Sequence, residues 1–141
     1  MSTSHFASFL MDRESQGKPV SEAELKDVAG RLATALAQRG FEVGEVFGSS
    51  TDLQGFAVAS AACEILVDIS PPEITFDKRW GLQVLLEDPG WFRTTREQRL
   101  GEMKRVEWAV HEALSNDLRA REIGWFVGEG RVSRQVSQPT P

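Results

Sequence analysis

From Ala57 to Ile69 every odd position is apolar: Ala57, Ala59, Ala61, Cys63, Ile65, Val67 and Ile69. Side chains of an extended chain alternate between two faces, so a run of this length predicts one long, half-buried strand and commits the chain to a sheet. The even positions are mixed, and two of them, Glu64 and Asp68, leave the same face of that strand. They are a carboxylate pair for a divalent cation or acid/base work, or the wet side of a sheet whose odd face is covered.

The sequence "SPPEITFDKR" ends the run, because consecutive prolines cannot continue a central strand. Beyond it "WGLQVLLE" places Trp80, Leu82, Val84 and Leu86 on one face, and so short a connection predicts antiparallel pairing. Upstream, "FEVGEVF" reads as a first strand weakened by Gly44, and "GSSTDLQG" as a turn. Downstream, "REIGWFVGEG" gives a last short strand with Ile123, Trp125 and Val127 on one side.

Two helices complete the pattern. Ser21 and Glu24 form a capping box, Val20 and Leu25 a hydrophobic staple, and Leu25, Val28, Ala29, Leu32, Ala35 and Leu36 recur at helical spacing. Gly40 and Phe41 supply a Schellman ending. The second helix opens at a box of Thr94 with Glu97 and carries Leu100, Met103, Val106, Val110, Ala113, Leu114 and Leu118 on one stripe. The expected fold is therefore α+β: a two-layer sandwich of a mainly antiparallel four-stranded sheet with both long helices on one face, in the order α-β-β-β-α-β.

A chain of 141 residues suits one domain. Its expected limits are residues 20–130, preceded by a loose arm over residues 1–19 in which Phe6, Phe9 and Leu10 pack as a short helical turn. Residues 131–141 are polar and end in prolines, which predicts a disordered tail. The first residues, "MSTSHFASFLMDRES", lack a basic n-region, and no stretch approaches the roughly 18 apolar residues of a membrane span. A cytoplasmic protein of bacterial type, with no membrane partner, is expected.

Sixteen basic against 21 acidic residues leave a net charge of −5. That argues against nucleic acid as the main partner, since duplex affinity rests on Lys and Arg neutralising phosphates. The chain's two histidines, His5 and His111, share no ligand spacing with each other or with its one cysteine, Cys63, so no zinc site is expected. Cys63 lies in an apolar run, where a buried, inert thiol is the ordinary reading; a Cys63–His111 nucleophile pair would need the two to meet in space and a third group to orient them. Neither "GEVFGSSTDLQG" nor "GWFVGEGRV" has the lysine and following helix of a phosphate cradle. Glu87, on the strand after "SPPEITFDKR", is a further carboxylate companion for Glu64 and Asp68, but "LLEDPGW" offers no neighbouring lysine of the kind a metal-dependent nuclease sets there.

With no catalytic, metal or cofactor set in view, the expected function is binding. On the second helix, at ~100° per residue, Trp108 falls almost opposite the apolar stripe, beside Lys104, Arg105 and Glu112. A tryptophan among charges is an interface anchor or a side chain covered by a terminal segment. Trp91, in the turn after "EDPG", either caps the core or presents an apolar tip. On the sheet's second face Leu66, Leu85 and Phe126 stand among Glu64, Asp68, Gln83 and Glu87, a mixture that suits protein recognition.

In the compact order of "SEAELKDVAGRLATALAQRG", "ACEILVDIS", "WGLQVLLE" and "EIGWFVGEG", with an acidic balance, the chain resembles the small acidic immunity proteins that bacteria pair with secreted toxins. The resemblance covers residues 20–130 as architecture and includes no specific motif, so no contact residue carries over. It implies a stoichiometric inhibitor, monomer or homodimer, that occludes a cognate toxin. The chain is also similar in element order to dimeric export chaperones of bacterial secretion systems, which hold a secreted effector, though the long "SPPEITFDKR" connection departs from them. A divalent-metal-dependent enzyme built on Glu64, Asp68 and Glu87 is the third reading.

Overall fold

The computed structural model describes residues 2–12, 18–48, 52–60, 63–75, 78–87, 95–127 and 134–139. In chain order the elements are β1 (Ser2–Leu10), α1 (Glu22–Gln38), β2 (Glu42–Val43), β3 (Gln54–Ala59), β4 (Glu64–Ser70), β5 (Trp80–Glu87), α2 (Arg96–Glu112), β6 (Arg121–Val127) and β7 (Arg134–Val136). The strands form one seven-stranded sheet in the order β2-β3-β4-β5-β1-β6-β7, with every neighbouring pair antiparallel. The α+β class is as expected; among the described residues the four expected strands are corrected to seven.

The largest correction lies at the start of the chain. Residues 2–10 are not a loose arm but the strand between β5 and β6, with Phe9 opposite Trp80 and Ala7 opposite both Leu82 and Trp125. Phe9 and Trp80 stack at 6.2 Å between ring centroids, and both are buried. The single strand expected over residues 57–69 is instead two, β3 and β4, because the chain reverses between Ser60 and Cys63, where the Ser60 N–H donates to the Cys63 carbonyl at 2.9 Å. Ala59 then faces Glu64, so the parity of the buried positions inverts: Phe56 and Val58 are buried on β3, Ile65, Val67 and Ile69 on β4. At the far end, Arg134–Val136 pairs with Trp125–Val127, so part of the expected tail belongs to the sheet. Of "FEVGEVF" only Glu42–Val43 is a strand, with Phe47 bridging to Gly55.

The helices follow their sequence signals closely. The Ser21 hydroxyl accepts from the Glu24 N–H at 3.1 Å, and Val20 and Leu25 are buried as a staple requires. At the other end the Phe41 N–H donates to Leu36 O at 3.2 Å and the Gly40 N–H to Ala37 O at 3.1 Å, the two bonds of a Schellman motif, with Gly40 at φ 91. The box opening α2 is shifted by one residue from the expected Thr94 and Glu97. Thr95 caps it, its hydroxyl accepting from the Gln98 N–H while the Gln98 side chain accepts from the Thr95 N–H. The helix ends in a wide turn, Ala113–Asp117, where the Leu118 N–H reaches Ala113 O at 3.0 Å.

Helix α1 lies over β2, β3 and β4 and α2 over β5, and the two helices touch. The core between helices and sheet takes Leu25, Leu32 and Leu36 from α1, Met103, Val106 and Val110 from α2, Leu114 from the wide turn after it, and the buried strand residues above. Among the described residues no helix is long and apolar enough to cross a membrane.

Candidate binding face of the sheet

Register places the residues that point away from the helices. Ala57, Leu66, Leu85 and Ser4 stand side by side across β3, β4, β5 and β1. The next row is Gly55, Asp68, Gln83, Phe6, Phe126 and Gln135, running on into β6 and β7. A third row is small: Ser70, Gly81, Ser8 and Gly124. The alternation that buries Val67 and Val84 beneath the helices thus turns Leu66 and Leu85 outward, and shifting either strand by one residue would exchange the two sets.

This face carries more apolar surface than a solvated sheet needs. Phe6 is 47 % exposed, and Leu66, Leu85 and Phe126 are each partly exposed. The end of the face at Gly81 is covered by the connection after β4, whose Thr75 methyl would lie 3.1 Å from a Cβ placed on that glycine. The connection is itself anchored, since the Val20 N–H donates to Glu73 Oε1 at 2.7 Å.

Glu64 is exposed and Asp68 half-buried on this face, one on each side of Leu66. Four residues of strand separate them by about 13 Å, so they are two separate acids and not a pair. Asp68 lies against Gly55, where a Cβ would strike its carboxylate and stand 2.7 Å from Val67 O. Burial pushes the Asp68 carboxyl above its ordinary range. Glu87, opposite Ser2, holds a register position on the same face, but its side chain lies outside the described residues. Among the described residues no three His, Cys, Asp or Glu side chains come together in an arrangement that would hold a metal ion.

The residues expected on the outer side of α2 are placed differently. Trp108 is half-buried, with its ring edge-on to His111 at 5.9 Å. Arg105 binds both Glu102 oxygens, at 3.0 and 2.9 Å, and lies over the Phe41 ring at 5.4 Å. Glu112 lies 3.8 Å from Arg39, which also pairs with Asp117 at 2.8 Å; Lys104 is exposed. Internal contacts therefore engage most of this set, which does not meet Glu64, Asp68 or the leucines across the sheet. Trp91 lies outside the described residues. A shallow groove along α1, lined by Lys26, Asp27, Arg31, Thr34 and Asp117, alternates in charge as a solvated helix face does.

Cys63 and His111 do not meet. The thiol is buried near Arg99 and Glu102 at one end of α2, and burial raises its pKa against the opposing Ser60 hydroxyl. His111, three turns further along, instead takes a hydrogen bond at Nδ1 from Trp125 Nε1, at 3.0 Å. Sequence reasoning missed Phe6, because "STSHFASFL" has serines on one side and no β-branched run. Its signal was Phe6 and Phe9 at positions of opposite parity, one for each face of a central strand.

No protein-family model matches the chain, and no curated protein or solved structure does.

Proposed function

We propose that the chain is a non-catalytic protein-binding module that seats a partner protein on the helix-free face of its sheet. The specific form we favour is an immunity protein that occludes a cognate bacterial toxin. One observation carries the reading: Ala57, Leu66, Leu85, Phe6 and Phe126 form a continuous apolar band among acids on a face that neither helix covers. Antiparallel sheets tolerate water on one side, but the wet side is then polar, and an apolar band there is the mark of an interaction surface. The acidic balance supports an inhibitor of an enzyme whose own substrate site is basic.

The test is a tagged pull-down from the source organism with the full chain and a Leu85→Glu variant side by side, with native mass determination of each bait. A single stoichiometric partner of enzyme-like sequence, held by the chain and lost by the variant, supports the reading. A bait dimer carrying a secreted client would replace it with the chaperone function. A partner retained equally by the variant removes the sheet face from the function, and no partner at all from folded bait removes the function itself.

A further inference from the structure

Resting on that reading, the geometry points to the partner element that the face takes: a basic amphipathic helix laid across the strands. The apolar band crosses the sheet instead of following a strand. It runs Ala57, Leu66 and Leu85 in one register row and steps to Phe6 and Phe126 in the next, from β3 to β6. Four inter-strand spacings make it about 19 Å long, the length of about 13 helical residues. The backbone groups of β4, β5 and β1 are already paired with strands on both sides, so an added strand finds no hydrogen bonds on this face. A helix brings its own backbone bonds and offers a single apolar stripe, the layer arrangement that buries a sheet face elsewhere in proteins.

Charge selects the flanks of that helix. Glu64 and Asp68 border the band on either side of Leu66, whereas Arg121, opposite Leu10 on this side of the sheet, stands beyond the Ser8 row and is paired with Asp12 at 2.8 Å. Among the described residues Asp68 has no hydrogen-bond or ion-pair partner, although it is half-buried, so a lysine or arginine brought against it meets an acid that those residues leave unpaired. The same arrangement argues against a second copy of this chain. A two-fold dimer sets one patch on itself, and here it would bring the acids of the band towards acids, with Arg121 outside the band and already paired with Asp12.

The experiment pans a displayed library of random peptides of about 16 residues on the immobilised full-length chain, then measures the enriched sequences as synthetic peptides. Expected are apolar residues at i, i+3, i+4 and i+7 flanked by Lys and Arg, with affinity falling as salt rises. Leu85→Glu should weaken them about tenfold or more, as should Asp68→Lys. Glu64→Lys, at an exposed position that the fold does not need, repeats the charge reversal with circular dichroism as the check on folding. Enriched peptides that are acidic, uncharged or without helical period overturn the inference, and so does a library that yields none. If Leu85→Glu abolishes binding while neither charge reversal changes it, the docking face stands and the basic helix falls. If no face variant matters, the face itself falls. A native dimer that Leu85→Glu dissolves would identify the occupant as a second copy and overturn the inference as well.

Discussion

His5 Nδ1 lies 2.5 Å from Glu107 Oε1, joining the first strand of the sheet to the middle of the second helix across 102 positions of sequence. Glu107 is 1 % exposed and His5 20 %, and His5 stands in register with Val84 on the face that meets the helices. In the tautomer that carries its proton on Nδ1 the imidazole donates to the Glu107 carboxyl group, which among the described residues has this one partner. His5→Ala should therefore cost about 1–3 kcal/mol in urea unfolding, the penalty of a buried polar group without its partner. Glu107→Gln, which keeps an acceptor in place, should cost less, and the reverse order would show that the contact is incidental.

Because β1 lies between β5 and β6, its buried residues act as core and not as a dispensable arm. Phe9→Ala should cost about 3–5 kcal/mol, as for other fully buried phenylalanines. Deleting residues 1–10 should abolish cooperative unfolding, since β6 and β7 would lose the strand that joins them to the rest. A truncated chain that still melts cooperatively would contradict this placement.

His111 gives the fold a pH dependence of known sign. Burial lowers its pKa, with Glu112 pulling the other way, and Trp125 Nε1–H can donate only to an unprotonated Nδ1. The unfolded chain binds this proton more readily, near pH ~6.5. The stabilisation is therefore complete above that value and is lost as pH falls towards the lower folded pKa. Urea midpoints between about pH 7.5 and 5 should decline more steeply for the natural chain than for His111→Gln, whose side chain does not titrate. Parallel slopes would remove His111 from the account.

Asp68 works in the opposite direction. Its folded pKa is raised by burial, so the native state holds this proton more tightly than the unfolded one, and the contribution is present at low pH and lost as pH rises through the folded value. Asp68→Asn should raise the unfolding midpoint at neutral pH, give no gain near pH 3, and weaken partner binding. A variant that is less stable at neutral pH would mean that the carboxylate is compensated in the fold.

Much of this was legible locally. Ser21, Glu24, Gly40 and Phe41 mark both ends of α1 because caps depend on neighbours within a few residues. Trp80 to Leu86 alternate as a half-buried strand and are one. The candidate face was legible in part, since Leu66 and Asp68 share a side with each other by parity, as do Gln83 and Leu85. The span from Ala57 to Ile69 misled because alanines occupy the outward positions of β3, and the reversal between Ser60 and Cys63 inverts parity without a glycine, asparagine or aspartate to announce it.

The sequence by itself determined the α+β class, both helices, the buried faces of β4 and β5, and the acidic balance of the chain. Those follow from spacing, caps and charge, which act over a few residues or over the whole composition. Only the tertiary structure decided that "STSHFASFL" is a central strand and that Phe6 and Phe126 extend the band begun by Leu66 and Leu85. It alone decided that Glu107 finds His5 and that Trp108 rests on its own helix. Strand order and cross-sheet partners depend on which distant segments complete one another's hydrogen bonds and core surface, and no local pattern in the chain records that choice.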